Sequence, residues 1–344
     1  MENPFVERGR ITDPRRFTAR WRELAQAFEH IEARRPLLMS GATGIGKSSL
    51  LTHLQQSAAA VLEQPALAAF YLDLAVLPDA DTCYRLVIEA LGGSGSGSAG
   101  LELALLEAEG PVLLCLDNAE AAIAAGWGQP LLERLARTAR SLRLGLSRTA
   151  GDAPYALPEI NELLLAVALA LPVPQFSEPF ALVKIGPFAA GELRLFAEAY
   201  LDGTGVQFAP ADLRELARLS QSHPAYLQRA AYHLFIAKIR PDYDWRAAYL
   251  AEARAQPLPG AALPPAIFAG NISDDFVEVD ADQSPRSPAR PPYAQPESPL
   301  GMLLALAPLL IGLLAWQLSG NWLIGLGLGV GVLVVVVWWV MRQG

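Results

Sequence analysis

Residues 41–48 read GATGIGKS, a glycine-rich stretch with the spacing G-x-x-x-x-G-K-[ST], preceded by a strand-like run at 36–40 and followed by a helix-like run at 49–56. Each residue type answers a physical need. Glycines let successive backbone N–H groups turn onto a polyphosphate, Lys47 reaches terminal phosphates, and the Ser48 hydroxyl suits a magnesium ion. Gly41, Gly44, Ile45, Gly46, Lys47, Ser48 and Ser49 are therefore the expected phosphate-side contacts. The alternative is a glycine turn that binds nothing. Lys47 is one of three lysines in the chain, with Lys184 and Lys238.

A phosphate loop needs a second element, an acid at the end of a neighbouring strand that holds the magnesium shell. Residues 112–117, VLLCLD, supply it in Asp117. Lys47, Ser48 and Asp117 together imply a magnesium-bound nucleotide as cofactor, with Ser48 and Asp117 on the metal.

Outward from this pair, residues 1–255 alternate apolar runs of strand length with helical stretches. Strands are expected at 36–40, 68–73, 111–116, 142–147 and 181–185, giving a parallel sheet covered on both faces. From residue 189 onward the pattern is all-helical, over 190–201, 210–220, 224–239 and 243–253, and predicts a helical lid after the α/β core. The apolar stretch INELLLAVALAL (160–171) is too short to cross a membrane and predicts a buried helix. The insertion GGSGSGSAG (92–100) predicts a flexible surface loop.

The carboxyl end is of a different kind. Residues 300–318 and 322–341 are apolar and uncharged, each about 20 residues long as a membrane span requires, and only Ser319-Gly320-Asn321 separates them. They predict a transmembrane hairpin. Arg286, Arg290 and Arg342 flank it, so both of its outer ends are expected on the cytoplasmic side of the cell membrane. Gly325, Gly327, Gly329 and Gly331 give G-x-x-x-G spacings that suit packing within the hairpin or self-association. The proline-rich, acidic stretch 256–299 predicts a disordered tether of roughly 35–40 Å reach. The expected domains are thus a core (1–188), a lid (189–255), the tether (256–299) and the hairpin (300–341).

A net charge of −8 argues against duplex nucleic acid as the main partner, because phosphate neutralisation needs a basic surface. Arg8, Arg10, Arg15, Arg16, Arg20 and Arg22 gather near the amino end, but interspersed acids predict a solvated face. Cys83 and Cys115 fall in an apparent helix and an apparent buried strand, with no disulfide framework. The histidines His30, His53, His223 and His233 have no metal-ligand spacing, and no nucleophile elbow occurs.

Taken together, the motifs resemble those of P-loop NTPases, specifically the AAA+-related STAND group of signal-transducing ATPases and the archaeal-type ATPases near it, over about residues 14–240. GATGIGKS and VLLCLD resemble Walker A and Walker B. PRRFTARWREL resembles the lead-in F-x-G-R-x-x-E-L, with Phe17, Arg20, Glu23 and Leu24 in place and Ala19 where glycine usually stands; the resemblance implies that Arg20 and its neighbours lie against adenine. LGLSR (144–148) resembles the T-S-R strand, which would make Arg148 a sensor of the terminal phosphate. Gly186-Pro187-Phe188 with Glu192 resembles a further family motif. SHPAYL (222–227) resembles the lid motif G-x-P-x-x-L, which implies that Pro224 touches the base. The fold implied is a three-layer P-loop NTPase sandwich, a helical lid and two transmembrane helices, with ATP or ADP and magnesium as ligands.

Where hydrolysing relatives place a second acid after the Mg²⁺ aspartate, this chain has Asn118. Glu120 reaches the attacking water only if the strand end bends; otherwise it is a solvated residue at a helix start. Arg134, Arg137 and Arg140 share a helical face and offer either an arginine finger in trans or plain surface. His223 is either a phosphate contact or an ordinary helix-start residue. The expected function is a membrane-anchored, slowly hydrolysing ATPase that acts as a nucleotide-dependent switch and clusters with further copies. A motor coupling continuous hydrolysis to membrane trafficking or secretion, and a nucleotide-holding scaffold, are the alternatives.

Overall fold

The computed structural model describes residues 2–149, 162–170, 173–258 and 264, and of 142–149 the backbone alone. Five parallel strands form one sheet: β1 (Leu37–Gly41), β2 (Ala68–Asp73), β3 (Val112–Asp117), β4 (Leu163–Ala170) and β5 (Ala181–Lys184), in the order β2-β3-β4-β1-β5. Parallel strands need crossovers, which here are helices on both faces. The sheet therefore separates two apolar layers. Side chains alternate along each strand, so Leu113 and Cys115 of β3 pack toward α1 (Trp21–Glu32) and α2 (Lys47–Val61). Val112, Leu114 and Leu116 pack toward α3 (Ala80–Ala90), α4 (Gly97–Glu107), α5 (Ala119–Ala124) and α6 (Gly128–Thr149). By the same period Asp117 falls on the α2 side.

This is the α/β architecture of a P-loop NTPase, with three corrections to the expected elements. Residues 142–147 are not a strand; they continue helix α6 to Thr149. The stretch expected as a buried helix at 160–171 instead supplies β4, which lies between β1 and β3 with Leu37 opposite Ala166 and Leu114 opposite Leu165. A strand buried on both faces reads as an unbroken apolar run without a period. The insertion 92–100 is a loop only in its first part, since α4 starts at Gly97.

Beyond β5, helices α7 (Ala190–Leu201), α8 (Pro210–Ser220), α9 (Pro224–Ile239) and α10 (Trp245–Ala255) enclose a core of their own around Tyr226, Leu234, Phe235 and Tyr249. Proline at the first position of α8 and of α9 fits a helix start, where its missing N–H costs nothing. The amino-terminal segment completes this core. Phe5 is fully buried in it, its ring stacked on Tyr200 and Phe208. From there the chain runs back to the α/β layers, where the Ile11 N–H donates to Ser49 Oγ (3.0 Å) and Phe17 stacks on His53 of α2.

Among the described residues no helix is long and apolar enough to cross a membrane. The hairpin expected at 300–341 lies outside them, as does the tether except for residues 256–258 and 264. Of these, Leu258 lies against the lid core and its N–H donates to Tyr226 Oη (3.2 Å).

Candidate functional site

The phosphate loop leaves β1 at Gly41 and enters α2 at Lys47. A Cβ on Gly41 would meet the Ile185 carbonyl oxygen at 2.5 Å, so only glycine lets the loop start this close to β5. Gly46 has φ of +100°, a conformation that side-chain-bearing residues avoid. It turns the chain into α2, whose free N–H groups and dipole favour an anion at that end. Lys47 is buried, and its Nζ donates to the carbonyls of Gly41 and Ala42, each at 2.9 Å. Burial pushes its pKa down, while Glu120 and Asp117 nearby oppose the shift.

Asp117 is 2% exposed at the end of β3. One oxygen accepts from the Asn118 N–H (2.9 Å) and the other from the Tyr71 hydroxyl. Asn118 adopts a left-handed conformation (φ 52°, ψ 39°), and its side-chain amide donates to Asp73 at the end of β2 (2.8 Å). This bend redirects the chain. Glu120, half-buried, turns back to accept from the Ala170 N–H at the end of β4 (2.9 Å) and faces the same cavity as Lys47 and Ser48. It is not a solvated helix-start residue.

The cavity holds about 270 Å³ and is lined by the phosphate loop, residues 7–11 and 16–20 and the start of α9, together with Glu120, Phe188 and Leu258. Arg20 is buried, with one terminal nitrogen on the Ile45 carbonyl (3.0 Å), another on Glu23 (3.0 Å), and its guanidinium 4.6 Å from the centre of the Phe188 ring. The Arg20 N–H donates to Glu192 (3.0 Å), so two motifs read separately in the sequence meet here. Pro224 lines the cavity at the first turn of α9. His223, just before it, contacts the loop itself, its Nε2 lying 3.1 Å from the Thr43 carbonyl. A carbonyl only accepts, so Nε2 carries the proton. Burial lowers the His223 pKa and favours this neutral form.

Other expected residues fall elsewhere. Arg148 lies within α6 and not at a strand end, so residues 144–148 do not form the T-S-R strand that the resemblance implied. Arg137 and Arg140 are half-exposed and both pair with Glu178 (3.6 and 2.9 Å). Arg8, Arg10, Arg16 and Arg20 of the amino end line the cavity; Arg8 and Arg10 are exposed, as a solvated face requires, while Arg20 is buried. With Lys47 and Arg229 they set six cations against two carboxylates, Glu7 and Glu120, a lining that suits a polyanion. Arg229, Gln228 and Leu258 of the same lining carry no sequence signal, because long-range packing alone brings them to the loop.

The donor set fits magnesium. Ser48 offers a hydroxyl and Asp117 a carboxylate, hard oxygens of the kind Mg²⁺ takes along with phosphates and water. Each Asp117 oxygen has a second lone pair beyond its present bond.

No protein-family profile matches the sequence, and no curated protein matches it. Solved structures do. The Walker-type ATPase of Pyrococcus abyssi is 13% identical, with 73% of this chain and 76% of that one covered at a TM-score of 0.47. The Aeropyrum pernix Orc1 protein, solved in complex with DNA, is 19% identical over 70% of this chain and 65% of its own, at 0.46. Domain III of the Thermotoga maritima replication initiation protein DnaA is 15% identical over 70% and 98%, at 0.44. Superpositions this loose carry no argument about activity or partner, and the P-loop fold rests on the sheet, the loop and the acid described above.

Proposed function

We propose that this chain is a membrane-anchored ATPase of the STAND/AAA+ type that acts as a nucleotide-dependent switch, facing the cytoplasm and held by the hairpin at 300–341. The observation that carries the reading is the contact of lid and loop. His223 bonds the Thr43 carbonyl, and a Cβ on Gly44 would lie 2.9 Å from Leu258 and 3.0 Å from Ala225. A ligand that fills the loop must renegotiate these contacts, so its arrival changes how lid and core meet.

In this reading Lys47 leaves the Gly41 and Ala42 carbonyls for the terminal phosphates. The N–H groups at the start of α2 hold the phosphate chain, and residues 17–20 with Pro224 bound the base. Ser48 and Asp117 hold magnesium, which supplies charge neutralisation on the phosphates. Glu120 is the group placed to take a proton from water once it is released from the Ala170 N–H. That release, and Asn118 in place of an acid, favour slow hydrolysis and long-lived nucleotide states.

Steady-state ATP turnover by the full-length chain, with Lys47→Ala as the control and protein concentration varied, tests the proposal. A switch gives about 10⁻² s⁻¹ or less, in the range of unassisted nucleotide switches, and binds ATP tightly. Fast turnover that rises with concentration identifies a motor instead. Absence of ATP binding sinks the reading.

A further inference from the structure

The acid at the end of β3 is held from behind by a residue that faces no part of the cavity. Tyr71 and Asp117 sit on adjacent parallel strands, with Tyr71 opposite Cys115 and Asp73 opposite Asp117. Side chains two apart share a face. The phenol of Tyr71 therefore points along the sheet to Asp117 and donates its hydroxyl proton to the carboxylate. The other oxygen of Asp117 is fixed by the N–H of Asn118, itself tied to Asp73. Between them these bonds set the rotation of the carboxylate and decide where its remaining lone pairs point. On its outer side the Tyr71 ring is covered by Arg10, whose guanidinium lies 4.1 Å from the ring centre. A cation over the ring draws electron density from the phenol and strengthens its hydroxyl as a donor.

We propose that Tyr71 is a positioning residue for the metal-holding Asp117, and that Arg10 of the amino-terminal segment acts on the metal site through it. The proposal rests on the nucleotide reading above and adds to it a second strand, β2, and a segment outside the sheet. Partners of metal-site carboxylates set metal affinity because they fix orientation before the ion arrives, and their loss costs about 10–100-fold.

The test is equilibrium binding of a fluorescent N-methylanthraniloyl ATP to the full-length chain, titrated with Mg²⁺ and repeated in EDTA. Tyr71→Phe removes one oxygen and keeps the ring. The expected result is that half-saturating Mg²⁺ rises about tenfold or more, while nucleotide affinity in EDTA stays as in wild type. Arg10→Ala, at an exposed side chain that also lines the cavity, shifts half-saturating Mg²⁺ in the same direction by about two- to fivefold in wild type and adds no shift in the Tyr71→Phe background; an equal shift in both backgrounds overturns the part given to Arg10. Unchanged half-saturation in Tyr71→Phe, or an equal loss of affinity with and without Mg²⁺, overturns the positioning role. Wild type that binds no nucleotide at all overturns the functional reading itself, and this inference with it. Wild type that binds with Mg²⁺ dependence while Tyr71→Phe matches it overturns the inference alone.

Discussion

Lys47 shows how a single side chain holds two jobs. Its Nζ satisfies two loop carbonyls, so Lys47→Ala removes the donor to those carbonyls and, in the proposed reading, the phosphate partner as well. The expected loss in ATP affinity is about tenfold or more, since hydrogen bonds to charged groups contribute roughly 1.5–3 kcal/mol; isothermal titration checks it. His223 makes a pH-dependent contact. Its pKa is lowered in the fold, so between the folded and unfolded values the unfolded state binds more protons and stability falls as pH falls. A protonated ring would also bring a second N–H to Nδ1, which is buried without a partner. The thermal midpoint should therefore decline as pH drops from 7.5 through about 6.5 and below. His223→Gln should flatten part of that decline, and His53, whose pKa burial also lowers, should account for more of it.

At the scale of elements, the phosphate loop, the acid strand and four lid helices are legible in the sequence because each is a local pattern. Lys47, Ser48 and Asp117 needed no knowledge of long-range contacts. The exchange between α6 and β4 was not legible, and the reason is competing periods. Leu142, Leu144 and Leu146 alternate like a strand, yet Leu135, Ala139, Leu142 and Leu146 also step by four, three and four, and the helix that begins at Gly128 continues along that stripe. Residues 163–170 have no period at all, since both faces of a central strand are buried. A direct check is Leu165→Ala, at a side chain 1% exposed on the strand that lies between β3 and β1. It should cost about 2–5 kcal/mol in urea unfolding. Tyr71 and Arg10 stayed hidden for another reason: neither belongs to a motif, and strand pairing alone brings β2 to Asp117.

Across the whole described chain, the amino-terminal segment ties the lid to the α/β layers. Asn3 donates to the Tyr232 carbonyl (2.9 Å), Phe5 fills the lid core, Arg8 reaches Glu252 of α10, and Ile11 and Phe17 dock on α2. Phe5→Ala should destabilise the protein by about 3–5 kcal/mol. It should also loosen the lid, read as faster amide exchange in α9 than in the sheet.

The path of that segment also sets an order of events during synthesis. Phe5 is made some 190 to 230 positions before the rings it stacks on or meets, from Phe196 to Phe235. Until they emerge, this segment has no lid core to dock in. The sheet and its loop are complete by β5, well before the lid, so the nascent protein passes through a stage with a finished phosphate loop and an uncovered mouth. At that stage the loop has no lid over it, because α9 and Leu258, which line the cavity, are still to be made.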